Sequence, residues 1–262
     1  MKPPAEAAGT FDDLRQLLAR LRSPGGCPWD RKQTPETLKT YLLEETYELA
    51  EALDRQEPPE IMEELGDLLF ILLFISRVYE EQGLFNLDQS LETVYQKMVR
   101  RHPHVFGEAQ WKEAGEVVKG WQAIKAEENP QKDPFESIPA ALPGLLKAHR
   151  LSQRAAGLGF EWPDLRAVLQ KAQEELGELE EALGENDLQA AREEVGDLLF
   201  VLVNMGRLLG TTAENILRQT NLKFQKRFLR LLASPGFQDD GGAARTAADW
   251  AALWARTKRE PD

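Results

Sequence analysis

The sequence predicts an all-α fold built from two tandem helical domains of the four-helix-bundle type. The main observation is an internal duplication, because residues 44–70 and 174–200 of the 262-residue chain agree at 14 of 27 positions without a gap. Apolar residues in both halves recur at the three- and four-residue spacing of helices, and no segment predicts a strand. The duplication predicts domains at 1–128 and 145–262, joined by a proline-rich linker at 129–144.

The first half begins with two helical patterns on either side of a short loop. Residues 12–22 carry leucines at helical spacing, and Thr10 can cap this segment. Pro35 opens a second, longer helix, since proline is favoured in a first helical turn. We interpret Pro58 and Pro59 as a short turn, and a short turn makes the helices on either side of it antiparallel neighbours.

Two further helices complete the first half. Gly83 ends the helix that follows the two prolines, and Asn86 or Asp88 can cap the next one. That helix runs to Arg101, and a last helix covers residues 114–125. The first half is therefore predicted to be helical apart from its connections.

The second half repeats this plan. Two glycines end its first helix, and residues 184–187 supply the turn between the paired helices. A loop with one proline and three glycines, at residues 234–244, precedes the last helix. The predicted helices cover residues 145–156, 164–183, 188–209, 212–232 and 247–259.

Each copy of the duplicated stretch carries two pairs of carboxylates. In the first copy, Glu45 and Glu48 lie three residues apart, so they project from one face of a helix. Glu64 and Asp67 have the same spacing on the second helix. Antiparallel helices can then bring the four carboxylates together. The matching set in the second copy is Glu175, Glu178, Glu194 and Asp197.

These carboxylates border apolar runs that we expect to be buried. Residues 68–75 and 198–203 are apolar on every face of a helix, and Asp67 and Asp197 lie at their edges. An unpaired carboxylate in such a place is costly, so a cation should meet it. Neither copy has the Glu-x-x-His pattern of di-iron bundles, and ligands that are all oxygen favour Mg²⁺ or Mn²⁺. The alternative is an acidic helix face that contacts only solvent.

Two other features of the duplicated region call for an explanation. Gly66 and Gly196 occupy the same place in the two copies, although a glycine costs a helix about 1 kcal/mol relative to alanine. Either another helix approaches closely there, or the glycine leaves room for a phosphate group. We interpret Trp29, in the loop before Pro35, as an anchoring core aromatic rather than a base-stacking one.

The ordered set of motifs resembles the MazG family of nucleoside triphosphate pyrophosphohydrolases. The stretches EETYE and ELGDLLF of the first copy, and EELGE and EVGDLLF of the second, correspond to the EExxE and ExxD signature of that family. Further similar segments are residues 27–30, 100–106, 159–162 and 223–228. The resemblance covers nearly the whole chain and is to the full-length, two-domain form of the family.

The resemblance implies Mg²⁺-dependent hydrolysis of nucleoside triphosphates to a monophosphate and pyrophosphate, with broad base specificity. The implied metal ligands are Glu175, Glu178, Glu194 and Asp197, and the first half offers a second set at Glu45, Glu48, Glu64 and Asp67. The implied catalytic carboxylates are Glu174, Glu175 and Glu178. Of these, Glu174 would orient or deprotonate the attacking water.

The resemblance also implies substrate-binding residues, most of them basic or aromatic. Those of the second half are Lys171, Asn221, Lys223, Arg227 and Trp254. Those of the first half are Lys97, Arg101 and Trp121. The halves differ because Tyr95 stands where the second half has Asn221, so turnover by the first half stays open.

Composition narrows the class of protein. A net charge of −12 argues against nucleic acid as a partner, since binding to a duplex depends on lysine and arginine. Cys27 is the single cysteine, which excludes an intrachain disulfide and favours a cytoplasmic protein. No apolar run is long enough to span a membrane, so no membrane partner is expected. The resemblance and the very apolar second helices predict a homodimer.

Two other functions remain open on the sequence. One is a non-enzymatic helical protein whose acidic faces bind a basic partner. The other is a pyrophosphohydrolase limited to one nucleotide, such as dUTP or a damaged triphosphate.

Overall fold

The structure is a computed structural model that describes residues 9–128, 133–234, 237 and 246–257. Over these residues the secondary structure is helical, without a strand, which confirms the predicted all-α class. The contacts between Cα atoms divide the chain into two compact units, Met1–Lys125 and Ala126–Asp262. Residues 129–132 of the predicted linker lie outside the described residues.

The first half of the described chain contains six α-helices. They are α1 (Phe11–Leu21), α2 (Pro35–Arg55), α3 (Pro58–Glu81), α4 (Leu87–Arg101), α5 (Pro103–Phe106) and α6 (Ala114–Glu127). The side chains of Thr10, Thr34 and Asn86 each accept a backbone hydrogen bond from three residues further on, which fixes where α1, α2 and α4 begin. Neither α5 nor the 3-10 turn at Asp30–Lys32 was predicted from the sequence.

Pro58 and Pro59 lie inside the first turn of α3, so their interpretation as the connecting turn is wrong. The fixed φ of proline suits a first helical turn, where its missing N–H leaves no helical bond unmade. The connection between α2 and α3 is only Gln56 and Glu57, and Gln56 has a left-handed conformation with a φ of 58°. So short a connection makes the two helices antiparallel neighbours, as predicted.

The second half of the described chain contains five α-helices. They are α7 (Gly144–Gly157), α8 (Leu165–Gly184), α9 (Leu188–Leu208), α10 (Ala213–Ala233) and α11 (Ala247–Thr257). Asp164, Asp187 and Thr212 cap α8, α9 and α10 through their side chains. Most of the predicted loop at 234–244 and the end of the last predicted helix lie outside the described residues.

A buried apolar cluster in each half holds the long helices together. In the first half, Leu18 of α1 and Leu38 of α2 pack with Phe74 of α3. In the second half, Val168 of α8 packs with Val201 of α9. Each such side chain contributes about 1.5–3 kcal/mol when it is fully buried. The packing fixes α2 beside α3 and α8 beside α9, and these pairs carry the carboxylates.

An arginine ties the loop after the first helix of each half to the helical core. Arg22 donates a hydrogen bond to the backbone carbonyl of Asp30 at 2.5 Å and pairs with Glu81 of α3 at 2.8 Å. In the second half, Arg207 of α9 donates to both carboxylate oxygens of Glu161. Two of the segments that resemble the MazG family, residues 27–30 and 159–162, are therefore held in place by these contacts.

The apolar runs of α3 and α9 are only partly buried, so the expectation of complete burial is wrong for the single chain. Leu72, Leu199 and Leu202 keep 48, 48 and 42% of their surface exposed, whereas Leu73 and Val203 are buried. The neighbouring helices of one chain cover one side of each run and leave the other side open. That open side can contact another protein surface.

A sharp bend separates α9 from α10. The two helix axes differ by 97° across a break of a few residues. No single helix in the described part of the chain is long and apolar enough to cross a membrane. Only when α9 and α10 are taken together, as a bent pair, are they long and apolar enough.

Candidate metal centre

Each long helix pair brings three carboxylates together. In the first half these are Glu45 of α2 with Glu64 and Asp67 of α3, and one oxygen of each lies within 4.8 Å of the others. In the second half, Glu175 of α8 meets Glu194 and Asp197 of α9 in the same way. We call these sets the first carboxylate cluster and the second carboxylate cluster.

The fourth predicted ligand of each half is close to its cluster but not part of it. Glu48 and Glu178 are exposed and lie one turn further along α2 and α8. Their charge still acts on the cluster. The pKa of Glu194 is raised, first by loss of solvent contact and then by the charge of Glu178. Glu178 therefore borders the second carboxylate cluster, as Glu48 borders the first.

In the first carboxylate cluster the negative charges repel one another. Partial loss of solvent raises the pKa of Glu45, and the charges of Glu48, Asp67 and Glu64 raise it further. The pKa of Glu64 is raised for the same reasons, with Glu48 and Asp67 as its main charged neighbours. Among the described residues no lysine or arginine forms an ion pair with these three carboxylates. The cluster therefore has an excess of negative charge.

A lysine of α8 contacts the second carboxylate cluster. The Nζ of Lys171 lies 2.8 Å from an oxygen of Glu175 and 2.5 Å from an oxygen of Glu174. The hydrogen bonds to Glu174 and Glu175 raise the pKa of Lys171, and the bond from Lys171 lowers the pKa of Glu175. Glu175 is only 4% exposed, which makes this charged contact a nearly buried one.

Tyr41 occupies the place of Lys171 in the first half, 130 residues earlier, and this difference was not among the predictions from the sequence. The ring of Tyr41 meets that of Trp29 edge-on, with 5.9 Å between their centroids. Trp29 is 54% exposed, so its interpretation as a core aromatic is wrong. Extending the alignment of the two copies by one helical turn would have shown the change from tyrosine to lysine.

The predicted tryptophans lie beside the third long helix of their own half. The ring of Trp121 is 5.8 Å from the guanidinium carbon of Arg101, and Lys97 lies one turn earlier on α4. In the second half, Trp254 of α11 packs on Phe224 of α10, with 5.2 Å between ring centroids. Each half thus places an aromatic ring next to the helix that carries its predicted phosphate-binding cations.

Among the described residues, no ion pair joins Lys223 of α10 to the second carboxylate cluster. At about 1.5 Å of rise per residue, Asp197 is about 16 Å before the end of α9, and Lys223 is about 15 Å after the start of α10. The bend of 97° between the two helices turns Lys223 away from the line of α9. Asn221 and Lys223 are exposed, and Arg227 lies one turn beyond Lys223.

The glycines in the middle of α3 and α9 have open space beside them. A Cβ atom added to Gly66 or Gly196 would meet no atom within 4 Å, apart from the helix's own backbone. Close approach of another helix of the same chain is therefore not the reason for either glycine.

Both carboxylate clusters fit a small divalent cation. Their donors are all carboxylate oxygens, and oxygens within 4.8 Å of one another can each reach a shared ion at the 2.0–2.6 Å typical of Mg²⁺ or Ca²⁺. Loss of solvent and then neighbouring negative charges raise the pKa of Glu45, Glu64 and Glu194, and such an ion would neutralise those charges. Three protein ligands leave positions for water and phosphate.

The comparisons with known proteins agree with the duplication. Residues 33–106 and residues 164–229 each match the family model described as the MazG nucleotide pyrophosphohydrolase domain. The chain is 42% identical over 228 residues to a Thermotoga maritima protein named nucleoside triphosphate pyrophosphohydrolase/pyrophosphatase MazG, covering 86% of this chain and 87% of that one. It is 38% identical over 259 residues to an Escherichia coli K12 protein named nucleoside triphosphate pyrophosphohydrolase, covering 95% and 97%.

Proposed function

Because the chain belongs to the MazG nucleotide pyrophosphohydrolase family, we propose that it hydrolyses nucleoside triphosphates to a nucleoside monophosphate and pyrophosphate. Water attacks the α-phosphorus and forms a new bond to it. The bond from the α-phosphorus to the oxygen that bridges the α- and β-phosphates breaks, and pyrophosphate leaves. The proposal includes dependence on Mg²⁺, with Mn²⁺ as a substitute, and broad base specificity. It also includes a cytoplasmic location, which suits a chain with a single cysteine.

The observation that carries this proposal is the second carboxylate cluster. Glu175, Glu194 and Asp197 would hold Mg²⁺, with Glu178 one turn away to complete the set. When bound, the ion supplies neutralisation of phosphate charge and activation of water. Phosphoryl transfer needs positioning and charge stabilisation more than covalent help, and these carboxylates serve that need.

Glu174 is the proposed base. It is exposed, it lies next to the buried Glu175, and its carboxylate accepts a hydrogen bond from Lys171 at 2.5 Å. A carboxylate at the rim of the cluster can orient the attacking water and take its proton. Glu174 is better suited to this task than Glu175, whose oxygens belong to the metal-binding set.

The triphosphate would connect the carboxylates with the cations of α10. A substrate that is held at the second carboxylate cluster by its α-phosphate extends its β- and γ-phosphates away from it. The long side chains of Lys223 and Arg227 can meet those phosphates across the gap between α9 and α10. Asn221 can donate to a phosphate or the ribose, and Trp254 can stack on any base, which supports loose base selectivity.

The products test this proposal. The purified chain is incubated with Mg²⁺ and each of the eight common nucleoside and deoxynucleoside triphosphates, and the products are separated by ion-exchange chromatography. We expect monophosphate and pyrophosphate from most of the eight. Recovery of diphosphate and orthophosphate would contradict the reaction type, and hydrolysis of a single nucleotide would replace broad specificity by the narrow alternative.

We also propose that the protein is a homodimer through the second half. Leu169, Leu176 and Leu183 recur every seven residues, so they form one exposed row along α8. Leu176 precedes Glu178 by two residues, so this row lies on a different face of α8 from Glu178. A row of leucines that one chain leaves uncovered favours contact with the same surface of a second copy.

The neighbouring helix has a similar exposed row. Val195, Leu199 and Leu202 follow one another along α9 at helical spacing, and each is more than a third exposed. Gly196 lies three residues before Leu199 on the same face, where its open space admits close approach of a second copy. Light scattering at micromolar concentration should give about twice the 29.6 kDa mass of the chain. A monomer would contradict the proposal.

A further inference from the structure

We propose that Lys171 holds the second carboxylate cluster in the absence of metal, and that a bound divalent cation displaces it toward the phosphates of the nucleotide. This inference rests on the proposed function, since it concerns the same cluster. It assigns two tasks to one side chain. Lys171 opposes binding of the metal when no nucleotide is present. It favours binding of the metal when the nucleotide binds with it.

The contacts of Lys171 support the first task. Its ammonium group lies 2.8 Å from an oxygen of Glu175, whose side chain is 5% exposed. Glu175 is also one of the three residues whose oxygens converge with those of Glu194 and Asp197. A divalent ion at this place and the Lys171 ammonium would share one nearly buried carboxylate, and their repulsion there is only weakly screened by solvent. The metal therefore has to displace the lysine.

The first half supplies the matched comparison. Its cluster has the same three carboxylates, 130 residues earlier in the chain, but Tyr41 replaces Lys171. A tyrosine carries no positive charge at neutral pH, so nothing of this kind opposes a metal at Glu45. The ligand sets of the two clusters are the same, but the charges beside them differ. Lys171 contacts the second cluster, whereas Glu60 acts on Glu64 of the first cluster and has the neutral Ala190 as its counterpart.

The second task follows from the length and position of the side chain. Lys171 is one turn before Glu175 on α8 and is one-third exposed, so its flexible stem can swing without moving the helix. A nucleotide that arrives with the metal brings several negative charges to the cluster. The released ammonium group can then donate hydrogen bonds to phosphate oxygens in place of Glu174 and Glu175.

Binding of Mn²⁺, followed by electron paramagnetic resonance, tests both tasks. The measurement uses the full chain with Glu45→Gln and Asp67→Asn, which leaves the second carboxylate cluster as the binding site. In this background, Lys171→Met should bind Mn²⁺ alone about tenfold more tightly. It should bind the Mn²⁺ complex of α,β-methylene ATP about tenfold more weakly, because a phosphate partner is lost. Lys171→Arg, which keeps the charge, should stay within about threefold of the parent for Mn²⁺ alone.

The reverse change gives an independent control. In a chain with Glu175→Gln and Asp197→Asn, the substitution Tyr41→Lys should weaken Mn²⁺ binding at the first carboxylate cluster about tenfold. Circular dichroism checks that each variant is folded. A Lys171→Met variant whose Mn²⁺ affinity is unchanged or weaker would overturn this inference alone. Absence of Mn²⁺ binding in both parent backgrounds would overturn the metal site of the proposed function as well.

Discussion

The first and second carboxylate clusters have the same ligands but different surroundings. Glu45, Glu64 and Asp67 have no cationic partner among the described residues. Loss of solvent, and then the repulsion between neighbouring carboxylates, raises the pKa of Glu45 and Glu64. In the second cluster, Lys171 contacts Glu175 and lowers its pKa. The duplication has thus kept the part that can hold a metal in both halves. The halves differ in Lys171, the neighbouring charge that a metal can displace and that a substrate phosphate can bind.

The third long helix shows a parallel difference. Lys223 and Arg227 of α10 have counterparts in Lys97 and Arg101 of α4, so both halves offer two cations one turn apart. Asn221 of α10, however, is replaced by Tyr95 in α4. We infer that metal binding is common to the halves and that turnover belongs to the second. The following predictions compare matched positions of the two halves, beginning with the largest expected effect.

The largest difference should appear when a metal-binding carboxylate is removed. Asp197→Asn and Glu178→Ala should each lower kcat by about 10³-fold, because the transition state loses charge stabilisation. The matched changes Asp67→Asn and Glu48→Ala should lower kcat less than about fivefold. Steady-state release of pyrophosphate measures this, and circular dichroism confirms folding. Greater loss from the first-half variants would reverse the assignment.

The next largest effect concerns the dimer. Leu176→Asp places a charge in the middle of the exposed row on α8 and should raise the dimer dissociation constant at least about 100-fold. The matched first-half residue is Thr46, which is already polar and exposed, so Thr46→Asp should leave the dimer intact. Sedimentation velocity over a range of concentrations distinguishes the two. Equal effects would argue against an interface in the second half.

A smaller effect is expected when the side-chain amide of Asn221, on α10, is removed. Asn221→Ala should lower kcat/KM about tenfold, which corresponds to the loss of one or two hydrogen bonds to the substrate. Tyr95→Ala, at the matched place on α4, should change kcat/KM less than twofold. If both variants keep the parental kcat/KM, Asn221 does not bind the substrate.

The smallest effect is on stability, and its sign should differ between the clusters. In EDTA at about pH 7, Glu45→Gln should raise Tm by roughly 2 °C, and Glu175→Gln should lower it by a similar amount. Loss of solvent and repulsion both favour the protonated form of Glu45, so the folded state loses stability as the pH rises from 4.5 through the raised pKa. Lys171 favours ionised Glu175, and that stabilisation is lost as the pH falls from 4.5 through the lowered pKa.

The control for this prediction is the pH itself. At about pH 4, Glu45 is mostly protonated in both the folded and the unfolded chain, so the gain from Glu45→Gln should largely disappear. Calorimetric scans of the two variants at both pH values provide the comparison. A gain in Tm from Glu175→Gln at neutral pH would contradict the stabilising contact with Lys171.

The parts of the fold that depend on local signals could be predicted from the sequence. Thr10 and Asn86 cap their helices as expected, because capping needs only a short polar side chain three residues before a free backbone N–H. The convergence of carboxylates on paired helices also follows from spacing and a short connection. The error at Pro58 and Pro59 arose because proline marks a turn and a first helical turn equally well.

Features that depend on more distant neighbours could not be predicted. Leu199 belongs to the run 198–203, which is apolar on every face of the helix, and only the structure shows that one chain leaves it half exposed. The contact of Lys171 with Glu175 was not foreseen, since a lysine near acidic residues and a phosphate site has two suitable partners. The prediction for Trp29 was wrong because the sequence of a loop does not show whether an aromatic ring in it is buried or exposed.

One measurement tests most directly the claim that both halves bind metal and only the second hydrolyses the substrate. The full chain with Glu175→Gln, Glu194→Gln and Asp197→Asn is titrated with Mn²⁺, and pyrophosphate release from ATP is followed in the same sample. We predict that one Mn²⁺ site per chain remains while pyrophosphate release falls below about 1% of the parental rate. Release near the parental rate would show that the first carboxylate cluster is the active one and would contradict this account.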